Sequence, residues 1–145
     1  MDLDRLIKEE DIIDYKVKDP KLRELISYVL RKIPDEYEED FPMFSLYQTD
    51  ITDAECAFVV PGDVDQVFFN VDMLEDSSCG NDDVKIGVIA HELAHVYLEH
   101  PHSSSCRKGL ENEEEADTLA SNWGFAKEVK ASRRKLGSPT LNTIK

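Results

Sequence analysis

Val84-Lys85-Ile86-Gly87-Val88-Ile89-Ala90-His91-Glu92-Leu93-Ala94-His95-Val96 is the stretch on which the fold turns. Its apolar residues (Val84, Ile86, Val88, Ile89, Leu93, Val96) predict a buried helix running from Val84 to about His100. The loop Ser77–Asn81 precedes it, with Asp82 or Asp83 placed to cap it, and Pro101 and Ser103–Ser105 break it. On such a helix His91 and His95 stand at i and i+4, stacked on one face about one turn apart. Two imidazoles there can share one zinc ion through ring nitrogens, and Glu92 then sits beside a water that the metal activates. Burying two histidines and a glutamate with neither partners nor a metal is costly. The spacing therefore makes His91 and His95 candidate ligands and Glu92 a candidate general base.

Catalytic zinc sites take three protein ligands. A third histidine ten residues after His91, with glycine at 98, is the metzincin pattern, but this chain has Leu98 and Pro101. His100 lies five residues past His95, off the ligand face of a continuing helix, and His102 lies beyond Pro101. Both read as surface histidines, or as proton donors on the substrate side. Carboxylates are offered by Glu111-Asn112-Glu113-Glu114-Glu115-Ala116-Asp117, at the head of a helix predicted from about Asn112 to Trp123 and stopped by Gly124. A favourable helix dipole explains an excess of glutamates there. It does not explain Ala116-Asp117 or the apolar Leu119, Ala120 and Trp123 that follow.

His91-Glu92-Leu93-Ala94-His95 followed, after a gap of 17 residues, by Glu113-Glu114-Glu115-Ala116-Asp117 resembles the H-E-x-x-H…E-x-x-A-D pattern of gluzincin zinc peptidases. The resemblance implies zinc as cofactor, Glu113 as third ligand and Asp117 as the carboxylate that orients a ligand histidine. It also implies a zincin-like fold and a peptide or protein substrate. It spans roughly residues 55–125 and is nearest to the minimal gluzincins. The ImmA/IrrE-like peptidases come second, because they tend to carry Asn where this chain has Asp117. By the same likeness, strand Val67–Asn70 forms the upper rim of the cleft and pairs with an extended substrate.

Elsewhere the chain predicts a short helix over Leu3–Glu10 and a better one from Asp19-Pro20, a cap followed by proline. Leu22, Leu25, Ile26, Val29, Leu30 and Ile33 give that helix an apolar face, and Pro34 closes it. Cys56–Val60 and Val67–Val71 read as neighbouring strands joined by Pro61-Gly62-Asp63. The sum is one α+β, zincin-like domain over residues 1–145: a small sheet packed on the histidine-bearing helix and a following Glu-bearing helix.

The 145 residues are 33% charged with a net charge of −14. Residues 126–145 hold six Lys/Arg against one Glu, net +5, which leaves −19 on the other 125. An acidic body repels phosphate backbones, so nucleic acid is not an expected partner. The basic tail 126–145, with Ser138-Pro139, suits either a frayed terminus or a strap lying across the cleft and inhibiting it. Apolar runs such as 57–61 are far shorter than the roughly 20 residues that span a bilayer. Met1-Asp2-Leu3-Asp4 is no secretory leader, so a soluble cytoplasmic protein is expected. Three sparse cysteines, Cys56, Cys79 and Cys106, read first as reduced thiols, with a Cys79–Cys106 bridge or a metal-blocking thiolate as alternatives. For stabilising an oxyanion, Tyr47, Tyr97, His100 and His102 are all open. The expected function is zinc-dependent peptide hydrolysis, possible latency included; the alternative is a zinc-binding regulatory or interaction module of the same fold.

Overall fold

Asp2 accepts a hydrogen bond from the Arg5 amide at 3.0 Å and so starts a short helix, α1 (Leu3–Lys8), in the computed structural model. The structure describes residues 1–49, 56–70, 81–101 and 106–137, without the side chains of 106–108. Strand β1 (Ile12–Lys16) follows, then α2 (Pro20–Lys32), capped by Asp19, which accepts from the Leu22 amide at 2.8 Å. The predicted apolar face of α2 is buried, and each side chain so covered contributes about 1.5–3 kcal/mol. A 3-10 turn (Asp35–Tyr37) leads to β2 (Phe44–Thr49), β3 (Ala57–Val60) and β4 (Asp65–Asn70).

The strands form one mixed sheet in the order β1-β2-β4-β3, so the described residues make an α+β fold. β1 and β2, and β2 and β4, run parallel; β3 and β4 are the antiparallel neighbours predicted from the Pro-Gly-Asp turn. Phe44, Leu46, Val67 and Phe69 point into the core at period two. On the other face the register partners Tyr47, Phe68 and Phe58 stack in a row at 5.0 and 5.1 Å. One expectation fails here. The backbone of β4 is engaged by β2 on one side and by β3 on the other, so Val67–Asn70 has no edge to offer a substrate. The strand next to the histidine-bearing helix with an open side among the described residues is β3.

That helix, α3 (Asp82–Leu98), is capped by Asn81, whose side chain accepts from the Val84 amide at 3.2 Å; Asp82 and Asp83 instead occupy its first turn. It is buried on several sides because it lies at the centre, against α2, β3, β4 and two later helices. These are α4 (Cys106–Ala120) and α5 (Ala126–Leu136), joined by a π turn (Ser121–Phe125) in which Gly124 takes φ 108°. Gly87 lets α5 in: a Cβ there would stand 2.3 Å from the Glu128 carbonyl oxygen. Residues 126–136 are therefore packed structure, with Val129 and Ser132 buried, and neither a frayed tail nor a strap. The net charge of this segment hides the few apolar positions, Val129 and Leu136, that seat it. Ser138-Pro139 and the residues after it lie outside the described part, as do Cys79 and His102.

Cys56 is disulfide-bonded, which corrects the expectation of three reduced thiols; its partner lies outside the described side chains. Such bridges persist in oxidising surroundings. Spacing along the chain could not show it, since bridging depends on which buried cysteines the fold brings together.

Candidate metal centre

The side chains of His91 and His95 leave α3 on one face, their ring centroids 4.6 Å apart and their planes perpendicular. Both turn Nε2 toward α4. Glu113 meets them there, with Oε2 at 2.8 Å from His91 Nε2 and Oε1 at 3.1 Å from His95 Nε2. The two Nε2 atoms are 3.1 Å apart. Donor atoms bound to one tetrahedral zinc at about 2.0–2.1 Å stand roughly 3.3 Å from each other. The triad His91, His95 and Glu113 thus needs to open by only a few tenths of an ångström to hold such an ion, and its donor set suits one.

What fixes the two rings differs. His91 Nδ1 lies 2.7 Å from Asp117 Oδ1, one turn beyond Glu113 on α4. Asp117 is gripped in turn by Arg133 of α5, whose Nε donates to Oδ2 and Nη2 to Oδ1, both at 2.8 Å. His95 Nδ1 lies 2.8 Å from His100 Nδ1, and His100 Nε2 lies 3.3 Å from Glu115 Oε2. Both Nδ1 atoms are thereby occupied on the outside, which leaves Nε2 facing the centre in each ring.

The electrostatics follow from burial and contact. Burial alone would lower the pKa of His91, but its bonds to Asp117 and Glu113 and the nearby charge of Glu92 outweigh it and raise the value to about 9. Burial dominates at His95 and His100 and lowers both. Glu113 is held well below the usual carboxylate range: burial works to raise it, and the bonds to His91 and His95 prevail. Asp117 is lowered in the same way, burial being outweighed by His91 and Arg133. The raised value reflects the placing of the His91 ring between two carboxylates, Glu113 at Nε2 and Asp117 at Nδ1.

The structure brings together four of the five residues singled out from the sequence around one point: His91, His95, Glu113 and, behind them, Asp117. Glu92 sits on α3, only 9% exposed and near enough to His91 to shift it. Of the four residues considered for an oxyanion, Tyr97 packs edge-on to Tyr37 and Trp123, and the Tyr47 hydroxyl donates to Asp14 at 3.1 Å. His100 alone among the described ones reaches the site. Arg133 escaped sequence reasoning, and His100 was weighed there only as a surface histidine or a substrate-side group; the spacing of Val129, Arg133 and Leu136 on a helical period was the available sign of α5. Beyond His100 opens a cavity of about 480 Å³ rimmed by Met43, Pro61, Asp63, Asp65 and Glu99. Burial raises the pKa of Asp65, against the Gly62 amide that donates to it at 3.3 Å, with Glu99 adding in the same direction.

No protein-family model, no curated protein and no solved structure matches this chain.

Proposed function

We propose that this protein is a zinc-dependent peptidase with a zincin-like arrangement of its helices, acting on peptides or proteins. The observation that carries the reading is the convergence of His91 Nε2, His95 Nε2 and a Glu113 oxygen, with both Nδ1 atoms tied outward, one residue from a buried glutamate. Zinc, when bound, polarises a carbonyl and lowers the pKa of water toward about 7. Glu92 takes the proton from the attacking water and returns it to the leaving amine. Asp117 and Arg133 hold the His91 ring in the tautomer that this needs. Strand β3, with its open edge, is the surface on which an extended substrate adds main-chain hydrogen bonds. The acidic cavity beside His100 suits a cationic residue of that substrate.

Metal content and cleavage of a peptide library, measured on wild type and Glu92→Gln, test the proposal. Both proteins are expected to hold about one zinc per chain, and the variant to cleave roughly 10²–10⁴-fold more slowly. Zinc uptake without cleavage by wild type would point to the alternative, a zinc-binding module. Equal activity in the two would remove Glu92 from the mechanism.

A further inference from the structure

The partner of the second histidine is unusual in kind. A ligating histidine normally gives its outer N–H to a carboxylate, a carbonyl or water, and His91 does so through Asp117. His95 instead faces another imidazole: His100 Nδ1 at 2.8 Å, with the far nitrogen of His100 at 3.3 Å from Glu115 Oε2. The His100 side chain is only 10% exposed, so this is no loose surface contact.

Resting on the metal-centre reading above, we propose that His100, oriented by Glu115, is a positioning residue that locks His95 in the tautomer whose Nε2 lone pair faces the cation. With a cation at the centre, His95 Nε2 must be bare, and the protons on the outer side then fall in one arrangement. A carboxylate accepts only, so His100 Nε2 carries the hydrogen and donates it to Glu115. Neutral His100 then has a bare Nδ1, which accepts the Nδ1–H of His95. With its hydrogen on that side, His95 presents its Nε2 lone pair to the cation, at the point between Glu113 and His91 where its Nε2 now faces both.

The backbone is bent to make this contact. On a helix that simply continued, position i+5 would project about 140° away from His95. Glu99, however, adopts the left-handed conformation (φ 53°, ψ 43°), and the His100 amide then donates back to the His95 carbonyl at 3.3 Å. That conformation is disfavoured for a residue with a Cβ. The reversal is what carries the His100 ring back over the ring of His95, with centroids 5.0 Å apart.

Zinc affinity, measured by competition with a chromophoric chelator on the full chain, is the first readout. His100→Leu fills similar space with no acceptor and is expected to weaken zinc binding roughly 10- to 100-fold. His100→Gln, which can still accept from His95, is expected to restore most of that loss. The second readout needs no variant. In zinc-loaded, nitrogen-15-labelled wild type, a scalar coupling across the hydrogen bond should join the two Nδ1 nuclei of His95 and His100. Absence of that coupling, or a folded His100→Leu protein that binds zinc as tightly as wild type, overturns the proposal and leaves the metal centre standing. A wild-type chain that takes up no zinc overturns the metal centre, and this proposal with it.

Discussion

His91 carries its proton well above the ordinary histidine range, and under the proposed function that proton is the one an incoming cation would displace. Since the pKa of His91 is raised to about 9 in the metal-free chain, loading zinc at neutral pH releases one proton from it. Apparent zinc affinity is therefore expected to climb about tenfold per pH unit through the neutral range. Calorimetry in buffers of different ionisation enthalpy reads the proton directly; binding with no proton released would contradict the assignment. The stability of the metal-free protein moves the other way. A histidine whose folded pKa exceeds its unfolded value of 6.5 stabilises fully below that value and loses the effect as pH rises through about 9. His91, His95 and Glu113 were legible in the sequence because one helical turn separates the first two, and a patterned carboxylate follows. His100 was not, because extrapolating a straight helix puts it on the wrong side, and nothing in Glu99-His100-Pro101 announces a left-handed residue.

Between elements, α5 lies tightly against α3 at Gly87. An alanine there would drive a methyl into the Glu128 backbone, and α5 would have to move outward. Gly87→Ala is expected to cost about 1–3 kcal/mol, as overpacking usually does, and to weaken zinc binding because α5 carries Arg133. An unchanged melting temperature would show that the helices have more slack than the geometry indicates. The helices α2 and α3 could be read from the chain because period and stop are local signals; the cap of α2 at Asp19-Pro20 was legible too, while that of α3 lies at Asn81, one residue before the aspartates expected to supply it. Strands β1 and β2 could not. Each is short and polar enough to pass for loop, and their parallel pairing joins segments distant in sequence, with Phe44 set against both Ile12 and Asp65. The two strands that were read, β3 and β4, are those joined by a tight turn.

At the scale of the molecule, the charge asymmetry is resolved by packing: the basic helix α5 lies against α3 and holds Asp117 of α4 by an ion pair. Removing residues from Ala126 onward is therefore expected to melt the domain and abolish zinc binding, not to raise activity. Circular dichroism melting and metal content of the shortened chain check this; a stable, zinc-binding product would show α5 to be dispensable. Among the described residues no helix is long and apolar enough to cross a membrane. The disulfide-bonded Cys56 immediately precedes β3 in the chain.

The tie between Arg133 and Asp117 also has a consequence for how the protein is made. Synthesis proceeds from the N-terminus, and 42 residues separate His91 from the guanidinium that completes its support. A nascent chain exposes both imidazoles before the clamp behind them exists, so an early cation meets rings free to turn. If the proposed centre takes a metal, correct loading would await the docking of α5.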